Sequence, residues 1–149
     1  MADSIRQRII SSMDTRFKTI LVANGYQTDI GEHVFWWKKT PLAQADLPGM
    51  NCRDRRQTKS FGAGIYDNSL TVEIEAGVLG RAAPEDLRKI LADIEKAIAV
   101  DETWGQLAGT TEIGDDEMNL EEDEQRVAGA RMILTVEYTT LRGDPFTRG

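Results

Sequence analysis

The strongest pattern in the chain lies in residues 83–100, "APEDLRKILADIEKAIAV". There Leu87, Ile90, Leu91, Ile94, Ala97 and Ile98 recur at the spacing of one helical face. Pro84 suits a first helical turn, and Glu85 and Asp86 complement the positive end of the helix dipole, so a helix is predicted here. A second amphipathic helix is predicted over residues 4–23. Ile5, Ile9, Ile10, Met13, Phe17, Ile20 and Leu21 repeat near 3.6 residues, with Arg6, Arg8, Arg16 and Lys18 between them. Asp3 or Ser4 can cap its start, and Asn24-Gly25 offers a left-handed stop.

Elsewhere the period is two. In "SLTVEIEAGVL" (69–79), Leu70, Val72 and Ile74 alternate with Thr71, Glu73 and Glu75, which predicts a half-buried strand. "VAGARMILTVEYTTL" (127–141) predicts a long strand with Met132, Leu134, Val136 and Tyr138 on one face. "HVFWWKK" (33–39) predicts a short strand ending before Pro41, with Val34 and Trp36 on one face and His33, Phe35 and Trp37 on the other. A weaker pattern suggests a strand near 49–57, and "FGAGIYDN" (61–68) reads as a turn or loop. With no repeat and no linker, residues 1–149 read as one domain. The order helix, strands, helix, strands predicts an α+β fold: a mostly antiparallel sheet with two main helices on one face.

Composition narrows the function classes. Apolar residues make up 40%, enough for a core, and no apolar run approaches the ~18 residues that cross a bilayer. The N-terminal stretch lacks the apolar segment of a secretory signal. One cysteine, Cys52, excludes an intrachain disulfide and fits a reducing cytoplasm, and one Cys with one His cannot build a zinc site. The net charge of −7 is concentrated in residues 110–124, "TTEIGDDEMNLEEDE". That stretch carries Glu112, Asp115, Asp116, Glu117, Glu121, Glu122, Asp123 and Glu124 and no base, so the remainder is close to neutral. Duplex binders need basic patches, which argues against DNA binding by the chain as a whole. The stretch reads as a solvated acidic loop, with a strand on either side of its tip as the further expectation.

Candidate chemistry is sparse. His33 has no Ser or Cys placed as a nucleophile near it and reads as a packed or interfacial strand residue. Cys52 sits among Arg53, Arg55 and Arg56, cations that can lower a thiol pKa, but an inert strand cysteine is the expectation. The "RDRR" cluster at 53–56 fits a phosphate or the acidic surface of a neighbouring subunit. "GAG" at 62–64 lacks the rest of a phosphate-cradling motif, and "DDEMNLEED" lacks the alternating acids and turn glycine of a calcium loop. A metal-dependent hydrolase using Asp115, Asp116 and Glu117 is the enzyme alternative, and no cofactor is expected. In the closing "RGDPFTRG" (142–149), Gly143 and Pro145 interrupt a regular strand and leave Phe146 as an apolar side chain on a polar tail. Phe146, with Arg142 and Asp144, is therefore expected to dock on a partner.

Four stretches in fixed order, "ANGYQTDIG", "LPG", "WGQLA" and "VEYTTLRGDP", resemble the tail terminator proteins of long-tailed bacteriophages, and the resemblance spans most of the chain. It implies a structural protein without catalytic residues. Such a protein forms a hexameric ring on the head-proximal end of the tail tube, stops tube growth and presents a surface to the head connector. Its place is the virion tail, and the host cytoplasm during assembly. Its partners are itself, the tail tube protein and the connector, with DNA passing through the lumen unbound and no membrane involved. Within such a ring the carboxylates of Asp115, Asp116, Glu117, Glu121 and Glu122 are expected to face the lumen and repel phosphate. Arg53, Arg55 and Arg56 are expected at a subunit interface. A head-completion or adaptor protein of similar build is the nearest alternative.

Overall fold

The computed structural model describes residues 2–80, 82–121 and 127–149. It contains α1 (Ile5–Phe17), β1 (Val34–Trp36), β2 (Gly49–Gly62), β3 (Ile65–Leu79), α2 (Ala83–Ala99), β4 (Thr110–Glu121), β5 (Val127–Leu141) and β6 (Asp144–Arg148). The strands form one sheet in the order β1-β2-β3-β5-β4, with β6 paired to β5 beyond the start of β4. The short β1–β2 pair is parallel, and every other pair is antiparallel. The fold is α+β, as the order of patterns predicts.

Register explains which face is buried. Leu70, Val72, Ile74, Ala76 and Val78 of β3 stand opposite Val136, Leu134, Met132, Ala130 and Ala128 of β5, so ten apolar side chains share one face. Met50 and Cys52 extend that face onto β2. Ile5, Ile9, Met13 and Phe17 of α1 and Leu87, Ile90, Ile94, Ala97 and Ile98 of α2 close over it, all at 1% exposure or less. Fully burying one such large side chain stabilises the fold by about 1.5–3 kcal/mol.

α1 starts where expected, with the Ser4 side chain accepting the Gln7 N–H, but it ends at Phe17 rather than running to 23. The reason is a close approach. Gly31 donates to the Ile20 carbonyl at 2.9 Å, and a Cβ there would lie 2.7–2.8 Å from the carbonyl oxygens of Phe17, Lys18 and Ile20. The loop before β1 thus closes the helix end, and Ile20 reaches the core from outside the helix. Asp93, buried on α2, holds the same loop by accepting the N–H groups of Gln27 and Thr28 and the Thr28 hydroxyl, at 2.6–3.1 Å.

Three other expectations change. "FGAGIYDN" forms the end of β2, a turn at Ala63-Gly64 and the start of β3, with Gly64 at φ 74°. Here Asn68 interrupts the apolar alternation, yet it is fully buried and bonded to Lys59 and Thr140. The acidic loop of 110–124 is in its first part a strand: β4 pairs with β5 from Thr110↔Glu137 to Glu121↔Val127, with a bulge between Ile113 and Asp116. Carboxylates are poor strand formers, but on an edge strand they stay hydrated while the backbone pairs. The remainder, 122–126, lies outside the described residues. The C-terminal tail turns at Gly143 and returns along β5 as β6.

Trp104 pins these layers together. It is 1% exposed, packs edge-on against Phe17 with ring centroids 6.2 Å apart, and donates its indole N–H to Thr111 Oγ1 at 2.7 Å. Arg16 lies 4.2 Å over its ring and donates to the carbonyl of Asp101, beyond the C-terminal end of α2. The loop around Trp104 is wound on Asp101. Hydrogen bonds from the Thr103 hydroxyl and the Gly105 and Thr103 N–H groups bring that carboxyl's pKa down to about 2. Trp104→Ala is expected to lower unfolding free energy by about 3–5 kcal/mol. Val22→Ala, at a 55% exposed position, should change it by less than ~0.5 kcal/mol. Urea denaturation measures both, and a Trp104→Ala loss below ~1 kcal/mol contradicts the pinning role.

Candidate assembly surfaces

The sheet face away from the helices carries a charged cluster that no local pattern announces. Glu73, with its side chain 4% exposed, sits between arginines of both neighbouring strands. Arg131 donates to it at 2.8 Å, Arg55 bonds the same carboxylate oxygen, and Arg53 lies 3.8 Å from the other oxygen and 3.0 Å from Glu75. Burial pushes the Glu73 carboxyl upward, but the hydrogen bonds from Arg55 and Arg131 and the Arg131 charge outweigh it and the net pKa is lowered.

The basic cluster predicted at 53–56 is therefore not a free patch. Arg53 and Arg55 point to Glu73 and Glu75, and Asp54 turns away to accept from Arg6 at 2.9 Å and from the Trp37 indole at 2.7 Å. A bulge between Arg53 and Arg56 makes this split possible, because the extra residue changes which face each side chain takes. Arg56 is exposed and forms no ion pair among the described residues.

The acidic candidates separate by face. Asp116 stands opposite Met132 and Glu117 opposite Arg131, so they project to opposite sides of the sheet. Asp115 lies within the bulge. Alternation of this kind cannot converge Asp115, Asp116 and Glu117 on one ion, and no group of three metal-ligating side chains assembles among the described residues. Glu121 ends the described part of β4, and Glu122 lies outside the described residues.

The tail candidates also divide. Asp144 accepts the Phe146 N–H at 3.0 Å, and hydrogen bonds from Thr147 and Phe146 lower its pKa, so it is engaged in its own turn. Arg142 donates its N–H to the Gly64 carbonyl and lies 4.6 Å over the Phe61 ring. Phe146 remains 52% exposed. Phe61 at 60% and Leu141 at 40% lie at the same end of the sheet, where β2 and β5 finish. These exposed apolar residues were half legible: Phe146 stood out in the sequence, whereas Phe61 was hidden in what read as a loop.

The remaining candidates are occupied within the fold. His33 Nδ1 lies 3.1 Å from the Pro48 carbonyl, and its own carbonyl accepts the Met50 N–H. Cys52 is fully buried, and burial, with the Asp14 carboxylate nearby, pushes its thiol far above the range where a thiolate forms. A groove of about 510 Å³ between α1 and β1 is lined by Trp36, Trp37, Arg6, Asp14 and Asp54. Both of its indole N–H groups are already taken, by Asp14 at 3.1 Å and by Asp54.

Compared with protein-family models and with curated proteins, the chain matches none.

The Glu73 cluster gives a pH signature. Because the folded pKa is lowered, the cluster's contribution is full above the ordinary glutamate range and is lost as pH falls through the lowered value. Glu73→Ala is expected to cost roughly 1–3 kcal/mol at neutral pH. That is less than the 3–5 of a fully buried pair, because Arg55 and Arg131 are about half exposed. Denaturation at pH 7 and pH 3 should show the variant's deficit shrinking in acid. A deficit that persists unchanged at pH 3 contradicts the ionic account.

Proposed function

We propose that the chain is a structural assembly protein of a long-tailed bacteriophage. It forms a ring on the head-proximal end of the tail tube, ends tube growth there and offers its other face to the head connector. The observation that carries this reading is the apolar character of one end of the sheet: Phe61 and Leu141, on opposite faces, and Phe146 of β6 are all exposed there, with Arg142 over the Phe61 ring. Aromatic residues and arginine dominate the energetics of protein interfaces, and a partner surface removes that apolar area from water.

The ordered stretches behind the phage resemblance support it from another direction. "GYQTDIG" is the loop that closes α1 and is held by Asp93, and "WGQLA" contains the Trp104 pin. Within them, Gly31 and Trp104 are positions that this fold cannot exchange freely. The charge of −7 per copy also suits a channel for DNA, since phosphate passes a carboxylate-rich wall without releasing its counterions.

The test is direct. Tail tubes of the phage that carries this gene, mixed with the purified chain and imaged by electron microscopy, should be labelled at one end. The double variant Phe61→Ser with Phe146→Ser should stay folded and lose most of that end occupancy. Uniform decoration along the tube contradicts the proposal. Binding to isolated connector rings without binding to tubes would transfer the reading to a head-completion adaptor.

A further inference from the structure

The two sides of the sheet are both open, and they differ in charge. On one side β4 is the outermost strand among the described residues and pairs there with β5 alone, which leaves its outer N–H and C=O groups without a strand partner. Residues 112–119 are exposed without interruption, and they carry Glu112, Asp115, Asp116 and Glu117 and no base. On the other side, β1 covers β2 at residues 50–52 and the Trp37 N–H reaches the Cys52 carbonyl. Past that point, among the described residues, no strand pairs with the outer side of β2 along 53–62. On this open stretch Arg53 and Arg55 are paired with Glu73 and Glu75, and its one acid, Asp54, is tied to Arg6. Its basic character therefore comes from Arg56 and Lys59, which form no ion pair among the described residues.

We infer that β4 of one copy pairs with the β2 edge of the next, joining copies head to tail through a continuous sheet. This inference rests on the ring in the reading above and names its seam. Charge chooses the partner. Two β4 edges brought together would set carboxylate against carboxylate, and two β2 edges would set arginine against arginine, both unfavourable across strands. An acidic edge meeting a basic edge is the one combination of the two that attracts.

Strand direction agrees. β1 and β2 run one way, β3 the other, β5 with β2, and β4 with β3. A copy related by rotation about an axis inclined to the strands keeps these directions, so its β2 meets β4 antiparallel. Because Glu117 is level with Glu75 and Arg56 with Thr71, a stagger of four residues along the strands brings Glu117 to Arg56 and clear of β1. The side chains also match by face. Glu112 and Glu117 project from the face that carries Arg53, Arg55 and Arg56. Asp116 projects from the face that carries Lys59. Ile113 at 36% and Met118 at 37% exposure stand beside the acids and would be covered by the same pairing. Lone acidic edge strands keep proteins from pairing with themselves, and here the same charges admit a basic partner. A head-to-tail contact of this kind closes into a ring or extends as a filament, and it does not stop at a dimer.

A charge exchange tests the seam. One variant reverses the acidic edge, Asp116→Lys with Glu117→Lys, and the other the basic edge, Arg56→Glu with Lys59→Glu. Arg56→Glu alone serves if loss of the Lys59–Asn68 bond disturbs folding, which circular dichroism monitors. By sedimentation velocity the wild-type chain should grow beyond a dimer as concentration rises, and less so in high salt. Each variant alone should associate about tenfold more weakly or worse. An equal mixture of the two should recover wild-type association, because each reversed edge then meets its complement. A wild-type chain that stays monomeric or stops at a dimer overturns the inference, as does a variant that associates normally or a mixture that fails to recover. The two proposals fail separately. Charge-rescued association without tube binding removes the tail reading and leaves the seam, and undiminished tube capping by both variants removes the seam and leaves the tail reading.

Discussion

The pairing of β3 with β5 is the constraint from which the rest follows. The two strands run antiparallel without a bulge from Ile65↔Leu141 to Leu79↔Val127, and along that length each apolar side chain of one faces an apolar side chain of the other for most of its span. Because side chains alternate, a slip of one residue would turn Leu70, Val72, Ile74 and their partners into water and bring Thr71, Glu73 and Arg131 under the helices. The register is therefore fixed by burial. Once it is fixed, α1 and α2 have a single apolar face to cover, and the Glu73 cluster has no other place than the opposite face.

That same pairing places β2 and β4 as the flanks of the sheet and sets their directions. Within the fold the polar side chains are satisfied: among the described residues, no buried side-chain nitrogen or oxygen lacks a hydrogen-bond partner. What remains unmatched lies at the margins, as the outer backbone of β4, the outer backbone of β2 beyond Cys52, and the apolar end with Phe61 and Phe146. On the reading proposed above, the two flanks would meet further copies and the end a different surface.

Patterns that depend on near neighbours were legible in the sequence. β5 begins and ends where its alternation predicts, and α2 follows its stripe from Ala83. Patterns that depend on distant residues were not. A strand was expected beside the acidic tip, but its reach through Asp115, Asp116 and Glu117 was not, because their strand character comes from β5 across the sheet. Asn68 broke an alternation that Lys59 and Thr140 repair. Arg53 and Arg55 looked like a free basic patch because their partner, Glu73, lies on the next strand and reads locally as one solvent-facing acid of an alternating strand. The tail looked free because its partner is β5 itself, reached through a turn at Gly143.

The joining of sheet edges inferred above is open to amide hydrogen exchange, which reads those edges residue by residue. Exchange measured on dilute monomer and on the associated form should show new protection confined to residues 110–121 and 53–62, at alternate amides where the outer N–H groups gain partners. New protection on the exposed faces of α1 and α2, with both edges exchanging as fast as in the monomer, would contradict the account.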